Sequence, residues 1–364
     1  MDETQPPNET RPPGALPRRP RVLPGLAVLR RGDHQVQIGI DPRHGVLLDN
    51  LPEGLIDLLP AMTGTATVPE LLDRCADERS RQAAMSMLTS LADAGLLDDA
   101  SPEDSAGLPM PARLSADATA WSLRTGHPRR RLSLNRQQAV VAVRGEGRLG
   151  VAIACLLAAA GVGWIDFGAD GQVRPEDTGT GYLDTDVDAT RQEAGVAAIR
   201  RAACTVRTGR LPSPRKPDLT VLTDAVVPVP IRTATLQAEG VPHLLTRMRD
   251  GTGIVGPLVI PGRTSCSHCM DLHRRDLDPA WPRLAMQLAG RPQPGELAAT
   301  QATAGFAAAQ ALLMVDWWLG GGPEPALANA SMEIDAAAGA VITKPWPPHP
   351  DCRCGAVPAE EASV

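Results

Sequence analysis

The order of apolar and polar positions predicts a small strand-then-helix unit at the start of the chain. Residues 34–40 alternate between apolar and polar side chains, which is the period-two pattern of a half-buried strand. Residues 26–30 and 45–48 are candidate partner strands, and apolar residues at helical spacing run from 55 to 96. Thr67 and Glu70 are spaced as a capping box before the second helix, and Ser80 is a candidate cap for the third. We therefore predict three short strands followed by three helices, a winged-helix-like unit over residues 21–98.

After a linker at residues 99–112, short apolar strands alternate with apolar helices. The predicted strands cover residues 140–143, 163–167, 218–222 and 243–248. The predicted helices between them cover residues 149–160 and 186–201. Strands that alternate with helices are typical of a parallel sheet with helices packed on it. We therefore expect an α/β domain over residues 113–356.

The two ends of the chain and one apolar segment bear on where the protein works. Residues 1–20 contain six prolines and no long apolar stretch, so we predict a disordered arm and no signal peptide. Residues 357–364 are predicted to be a tail. Polar residues interrupt the apolar segment from 298 to 319, which favours a buried helix over a membrane span. We expect a cytoplasmic protein without a membrane partner.

Charge argues against nucleic acid as a partner. The chain has a net charge of −6, and residues 24–99 contain twelve acidic but only six basic residues. A DNA duplex carries one negative charge per ~1.7 Å of its length and would repel a winged helix with this balance. Aromatic residues make up only 2% of the chain, which also disfavours a platform for base stacking.

A glycine loop stands between a predicted strand and a predicted helix. Residues 145–150 read Gly-Glu-Gly-Arg-Leu-Gly, the spacing with which a backbone turn approaches a phosphate at a helix start. Asp166 and Asp170 follow at about the distance expected for a residue that binds a ribose. The loop could equally be a structural turn without a ligand, and the spacing leaves both interpretations open.

Four of the seven cysteines form two close pairs, Cys266 with Cys269 and Cys352 with Cys354. Four thiolates complete a tetrahedral zinc site with no open coordination position, and such a site is structural. Free buried thiols, or a disulfide within each pair, are the alternatives. An odd number of cysteines in a chain with no predicted secretory signal favours zinc.

Several of these segments together resemble a known family. Residues 140–150 and 157–167 resemble the ThiF-like fold of ubiquitin-activating-type adenylating proteins, a Rossmann-like α/β fold. Residues 253–262, the two cysteine pairs and residues 348–354 narrow the resemblance to the ThiF-like partner proteins of azole-forming cyclodehydratases, which modify ribosomal peptides. The N-terminal unit is similar to the PqqD-related winged helix of that family. The resemblance covers residues 21–356.

The resemblance implies a subunit that binds peptide and has no catalytic activity of its own. In this family the ThiF-like protein binds the leader of a precursor peptide and delivers the peptide to a separate YcaO-domain enzyme. That enzyme uses ATP to activate backbone amides while Cys, Ser or Thr side chains close azoline rings. The implied partners are therefore a leader peptide and a YcaO cyclodehydratase. A structural zinc ion and a homodimer are further expectations.

The nucleotide site departs from that of the adenylating relatives. Their Asn-x-x-Arg-Gln run has no equivalent asparagine in the matching residues 173–182. By the same resemblance, Arg191 matches a lysine that contacts phosphate and Asp224 matches an aspartate on the metal side. We therefore expect a vestigial site in which the binding of ATP is doubtful. Its residues are Gly145, Gly147, Gly150, Asp170, Arg191 and Asp224. A working adenylyltransferase that activates a carboxylate with ATP is the alternative.

The resemblance also implies where the leader peptide binds. The third strand of the small unit would receive the peptide as an added strand, and the third helix would form the other wall of a groove. The residues concerned are Gly45, Val46, Leu47, Leu48, Arg81, Met85 and Leu88. In the alternative interpretation the three strands only cap the larger domain, and Met85 and Leu88 are ordinary core residues.

Overall fold

The chain folds into two compact units. A computed structural model describes residues 15–52, 54–100 and 110–356. The division between the two units falls after Leu134. Most of the predicted arm and linker, and the whole predicted tail, lie outside the described residues. The domain limits expected from the sequence therefore stay a prediction.

The predicted strands and helices have counterparts in the structure, with shifted ends. The strands are β1 Pro20–Val22, β2 Val28–Arg30, β3 Val36–Ile38, β4 Val46–Leu48, β5 Leu97–Asp99, β6 Val140–Arg144, β7 Trp164–Gly168, β8 Arg207–Thr208, β9 Leu219–Leu222, β10 His243–Arg249, β11 Thr252–Val259, β12 Ala330–Asp335 and β13 Ala340–Pro345. The helices are α1 Leu58–Ala61, α2 Val68–Leu72, α3 Glu78–Asp93, α4 Ser115–Thr125, α5 Arg129–Gln138, α6 Arg148–Ala159, α7 Arg191–Ala202, α8 Pro230–Ala238, α9 Ser267–Leu277, α10 Trp281–Leu288 and α11 Leu297–Gly320.

The first unit packs a three-stranded antiparallel sheet, β2–β3–β4, against helices α1 to α3. Val36 and Ile38 of β3 are buried and Gln37 between them is only half-buried, as the alternation predicted. Leu71 of α2 and Leu88 of α3 have no exposed surface and complete the core. The strands β1 and β5, which the pattern did not predict, pair as a separate antiparallel ribbon.

Side-chain caps decide where two helices of this unit begin. Thr67 and Glu70 form the expected capping box at α2, in which the backbone N–H of Thr67 donates to Glu70 Oε2 at 2.7 Å. Helix α3 begins differently from the expectation that Ser80 caps it. The cap is Asp77, whose Oδ1 accepts a hydrogen bond from the backbone N–H of Ser80 at 2.7 Å. Ser80 therefore lies inside the helix, and aspartate serves as well as serine at a cap.

Helices α4 and α5 have no counterpart among the expected elements. Four of the ten residues of α5 are arginines, so its apolar stripe is too weak to read as a periodic pattern. Trp121 and Leu132 nevertheless pack together, each with 1% of its surface exposed. Gly126, in the left-handed conformation with φ 70°, ends α4.

The second unit is built on an eight-stranded mixed sheet in the order β13–β12–β11–β10–β9–β6–β7–β8. The five strands from β10 to β8 are parallel to one another, whereas β11, β12 and β13 add antiparallel strands. The α/β fold expected from the sequence is therefore confirmed. The antiparallel half was not expected, because β11 is buried along nearly its whole length and shows no alternation.

The strand order identifies where a ligand site is expected. The strand β6 lies between β9 and β7, so successive strands are added on opposite sides of it. Ligands of open α/β sheets bind outside the carboxyl ends of the strands at such a switch point. Residues 145–147, which follow β6, lie at this edge.

Helix α11 is the long apolar segment of the sequence. Within the described residues it is the one helix long and apolar enough to cross a membrane, and 56% of its most apolar window is buried inside the fold. Ala307, Ala311 and Met314 have no exposed surface and pack in the main core together with α6 and the central strands. The segment is thus the buried helix that its polar interruptions favoured.

Candidate functional site

The glycine loop joins β6 to α6 and packs tightly against one hydroxyl group. A Cβ atom at Gly145 would lie 1.7 Å from Thr223 Oγ1, and a Cβ atom at Gly150 would lie 3.0 Å from the same oxygen. Both distances are shorter than normal contacts, so glycine is required at Gly145 and strongly favoured at Gly150. The loop therefore has a packing role with the turn after β9, whether or not it binds a ligand.

The carboxylate of Asp224 occupies the backbone donors of this loop. Its Oδ2 accepts hydrogen bonds from the backbone N–H groups of Glu146 at 2.9 Å and Gly147 at 3.1 Å. The hydroxyl of Thr223 donates to the same oxygen at 2.7 Å. N–H groups at the start of a helix are the donors that bind phosphate in glycine-loop proteins. Asp224 thus stands where a bound oxyanion would be held.

The conformation of Asp224 is unfavourable for an isolated residue. Its φ of 74° lies in the left-handed region, which non-glycine residues rarely adopt. Burial raises the pKa of its carboxyl above the ordinary value of 3.8, while the hydrogen bonds from Thr223 and the loop act to lower it. The surrounding structure must therefore hold the residue in position, since strain of this kind persists only where neighbouring contacts impose it.

Arg191, at the start of α7, is paired with an acid of its own chain. Its Nε and Nη2 donate to Asp177 Oδ2 at 3.1 and 2.8 Å, and its Nη1 donates to the carbonyl oxygen of Asp170 at 3.2 Å. Glu146 Oε2 lies 3.9 Å from Nη1. The cation that matches a phosphate-contacting lysine of the relatives is therefore neutralised within the chain.

Of the two candidate ribose-binding acids, only Asp170 is accessible. Asp166 lies in β7 with 4% of its surface exposed, and its Oδ2 accepts from Arg144 Nη2 at 2.8 Å. Asp170 follows the end of β7 and its side chain is exposed. The fold thus brings the nucleotide-site residues expected from the sequence together at one edge of the sheet. Thr223 also belongs to this site and was not among the expected residues; its signal in the sequence is a hydroxyl residue directly after the buried strand β9.

A cavity of about 170 Å³ lies beside the loop, between the ends of β9 and β10 and the start of α8. Thr223, Asp224, Leu245 and Arg232 are among the residues that line it. An engineered protein cavity of about 150 Å³ holds one benzene molecule. The cavity here is of similar size and is open to solvent, so it has room for one ring or short side chain.

The four paired cysteines converge on one point, with their sulfur atoms all within 4.8 Å of one another. The Cys266 sulfur lies 3.6 Å from that of Cys352, and the Cys269 sulfur lies 3.6 Å from that of Cys354. Sulfurs about 2.3 Å from a tetrahedral zinc ion are about 3.8 Å apart, so the cluster could hold a metal ion. All four cysteines are free thiols in the structure.

Two segments distant in the sequence supply these ligands. Cys266 and Cys269 lie at the start of α9, and Cys352 and Cys354 lie in the turns after β13. The hydrogen bond from Cys266 Sγ lowers the pKa of Cys269, and the same bond raises the pKa of Cys266 above its ordinary value. A lower pKa favours the thiolate, which is the form that binds metal.

The expected peptide-binding residues are only partly accessible. Leu47 of β4 is 49% exposed and Met85 of α3 is 37% exposed. Arg81 is half-buried and its Nη2 lies 3.1 Å from Asp73 Oδ1. Leu88 requires a correction, because it has no exposed surface and belongs to the core of the first unit.

Hydrogen bonds at the two ends of β3 decide which way its residues face. The backbone N–H of Gly39 donates to the carbonyl of Ala27, and the carbonyl of Gln35 accepts from the N–H of Arg31. The backbone groups of odd-numbered residues therefore point towards β2. In an antiparallel strand the direction alternates, so residues 36 and 38 point towards β4.

The residue of β4 with outward backbone groups is consequently Leu47. Val46 pairs with Ile38 and Leu48 pairs with Val36, so the N–H groups of Val46 and Leu48 point towards β3. The N–H and C=O of Leu47 point to the other side, where β4 has no neighbouring strand among the described residues. A peptide that added to this edge would pair with Leu47 and not with Val46.

Comparison with known proteins identifies the fold. No protein-family model matches the chain, and no curated protein matches it by sequence. Among solved structures, E. coli MccB superimposes with a TM-score of 0.69 at 14% identity, over 95% of this chain and 99% of MccB. The fold is similar to that of MccB. This likeness confirms the ThiF-like fold that the sequence resembled.

Two further structures support the same fold. The microcin C7 biosynthetic enzyme MccB in complex with N-formylated MccA matches with a TM-score of 0.68 at 14% identity, over 92% of this chain and 99% of that one. A heterocyclase in complex with substrate and cofactor matches with a TM-score of 0.62 at 15% identity. That match covers 93% of this chain but only 39% of the heterocyclase.

Proposed function

We propose that this chain is a non-catalytic subunit that binds the leader of a ribosomal precursor peptide. It presents that peptide to a separate YcaO-type cyclodehydratase, which forms azoline rings with ATP. The observation that carries the proposal is the open edge of β4, where the backbone groups of Leu47 have no partner strand among the described residues. MccB has been solved with the peptide MccA, and the heterocyclase with its substrate, which supports a peptide partner.

In this proposal the first unit is a winged helix of the PqqD type that binds the leader by strand addition. The edge of a sheet presents unpaired N–H and C=O groups, and an added strand satisfies them. Backbone pairing then supplies affinity, and the side chains of the exposed Met85 and the half-buried Arg81 select the peptide sequence.

Two internal contacts support a subunit that does not adenylate. The loop donors are bonded to Asp224, and Arg191 is bonded to Asp177. A triphosphate would have to displace one carboxylate and approach a second, and like charges a few ångströms apart repel strongly where water is excluded. ATP therefore has no role in this chain in our proposal.

The alternative is a working adenylyltransferase, and one comparison favours it. MccB is described as an enzyme and has been solved with ATP. Exchange of pyrophosphate into ATP by the isolated chain, in the presence of a carboxylate substrate, would support this alternative. No exchange is expected if the chain is a binding subunit.

In the same proposal, the four clustered cysteines bind a zinc ion. The donor set of four thiolates and the sulfur spacing suit zinc, which would hold the turns after β13 against the start of α9. Such a closed site is structural, since no coordination position is left for a substrate. A cytoplasmic location and a homodimer belong to the same proposal.

The decisive experiment measures binding of the leader peptide encoded beside this chain. We expect the full-length protein to bind it with about micromolar affinity. Leu47→Pro removes the outward N–H and should weaken binding about tenfold, the effect of losing one hydrogen bond of roughly 1.4 kcal/mol. Leu47→Ala keeps that N–H and is the matched control, for which we expect a change of less than about threefold.

Calorimetry or fluorescence anisotropy measures both variants, and circular dichroism checks that both are folded. Equal weakening by the two substitutions would mean that the side chain and not the backbone is recognised. No measurable binding by the unmodified chain would overturn the proposed function.

A further inference from the structure

One surface of the second unit has a charge opposite to that of the whole chain. Residues 194–217 contain six basic and no acidic residues, although the chain has a net charge of −6. This segment covers the end of α7, strand β8 and the turns that follow it. All five of its arginines are exposed, and we call the four without a salt bridge among the described residues the arginine surface: Arg200, Arg207, Arg210 and Arg215.

Two of these arginines are held over one indole ring. The guanidinium carbon of Arg207 lies 4.0 Å from the ring centroid of Trp164, and that of Arg215 lies 5.3 Å from it. Trp164 is 7% exposed, and its Nε1 donates to the carbonyl of Gly209 at 2.9 Å, so the ring is fixed in place. Stacking uses the face of a guanidinium and leaves its N–H edge free to bind a carboxylate.

No member of the arginine surface forms a salt bridge among the described residues, although the charge of Arg215 acts to lower the pKa of Asp218, which burial raises. Arg201, the neighbour that is not part of it, lies 3.6 Å from Asp186, whereas the four members form no such ion pair. Arg200 donates to a neutral oxygen, Thr208 Oγ1, at 3.1 Å. Asp218, the next acid along the chain, accepts from the backbone N–H of Val140 at 2.8 Å.

The same surface includes an edge strand. Strand β8 ends the eight-stranded sheet and pairs with β7 alone among the described strands. Its outer side therefore presents backbone donors and acceptors next to the arginine side chains. An extended polypeptide with carboxylate side chains would satisfy the backbone groups and the charges together.

We propose that the arginine surface binds an acidic segment of a partner polypeptide, extended along β8. Nucleic acid fits less well, because Trp164 is covered by arginines and offers no exposed ring for a base. The inference stands apart from the binding of a leader at β4 and concerns a different unit of the chain.

The test uses the full-length protein and a fluorescent peptide of alternating Glu and Val, with a Gln and Val peptide as the neutral probe. Anisotropy at about 50 mM salt should show binding of the acidic peptide only, with clear weakening at about 200 mM. Arg207→Glu combined with Arg215→Glu should weaken binding at least about tenfold. Arg283→Glu combined with Arg291→Glu changes the net charge equally and should alter affinity less than about twofold.

Reversal of Arg207 and Arg215 also removes their contacts with Trp164, so thermal unfolding is measured in parallel. If that double variant is unfolded, Arg210→Glu decides, since the side chain of Arg210 makes no hydrogen bond within the described residues. It should weaken binding about threefold or more. If the folded variant with Arg207→Glu and Arg215→Glu binds the acidic peptide as tightly as the control variant does, the proposal is overturned. Tighter binding of a single-stranded RNA than of the acidic peptide would overturn it as well.

Discussion

Acidic side chains of the chain itself occupy the groups that would bind an anion at the glycine loop. Asp224 accepts from two loop amides, and Asp177 accepts from two nitrogens of Arg191. Each contact imitates one that a phosphate makes elsewhere, since carboxylate and phosphate oxygens accept from the same donors. The loop can therefore keep its geometry without a nucleotide.

Removal of the carboxylate at Asp224 should open the loop to ATP. In Asp224→Ala the two amide donors lose their internal partner and a repelling charge, so we expect ATP to bind at least about tenfold more tightly than to the unmodified chain. Titration calorimetry with ATP and Mg²⁺ measures the change. Arg191→Ala in the same background should remove the gain. Tight ATP binding by the unmodified chain, lost in Asp224→Ala, would contradict this account.

A second residue pair controls stability and not function. The guanidinium of Arg136 forms two parallel bonds with Asp316, from Nε to Oδ1 at 2.9 Å and from Nη2 to Oδ2 at 2.8 Å, and both side chains are buried. Asp316→Ala removes the carboxylate that pairs with this buried guanidinium and should cost about 3–5 kcal/mol of unfolding free energy. Denaturant unfolding measures it. The double variant Arg136→Met and Asp316→Leu removes both charges, so its free energy of unfolding should fall much less. An equal fall in the two variants would mean that packing, and not the ion pair, determines the stability at this site.

At the scale of elements, the cysteine cluster joins a helix start to a segment near the end of the chain. Cys266 and Cys269 belong to the start of α9, and Cys352 and Cys354 follow the last strand. Such a connection constrains the turns after β13, which have no helix of their own to hold them. The expected contribution of a metal here is therefore to folding and not to chemistry.

Loss of one cysteine should release the metal. We expect Cys352→Ser to lower the zinc content from about one ion per chain and to lower the thermal midpoint by several degrees. Elemental analysis and thermal unfolding measure the two effects. Cys204→Ser is the matched control, because Cys204 is exposed and lies outside the cluster. A zinc content clearly below one ion per chain in freshly purified, folded protein would contradict the prediction.

At the scale of the whole molecule, the open edge of β4 and the glycine loop belong to different units. The open edge of β4 lies before the division at Leu134, and the loop, the cavity and the four cysteines lie after it. Each unit has a hydrophobic core of its own, which is the usual condition for independent folding.

A chain shortened to begin at Asn135 should therefore fold and retain its metal but no longer bind the leader peptide tightly. We expect cooperative thermal unfolding, about one zinc ion per chain, and leader binding weakened at least about a hundredfold. The same titration as for the full-length protein measures the affinity. Unchanged affinity in the shortened chain would place recognition in the second unit.

The sequence by itself determined those features that depend on neighbouring residues. Alternation predicted β3, the capping box predicted the start of α2, and the apolar runs predicted β6 and α6. These features could be predicted because periodicity and capping act within a few residues. The candidate metal ligands could also be predicted from the cysteine pairs, since residue type and close spacing are local features of the sequence.

Tertiary structure alone decided how distant groups meet. The sequence showed Asp224 and Arg191 as matches to functional residues, but only folding brought Asp224 onto the loop and Asp177 onto Arg191. Strand register, and not composition, directed the free N–H of β4 to Leu47. These outcomes depend on contacts between segments far apart in the chain, and a local pattern carries no information about which donor a distant carboxylate will reach.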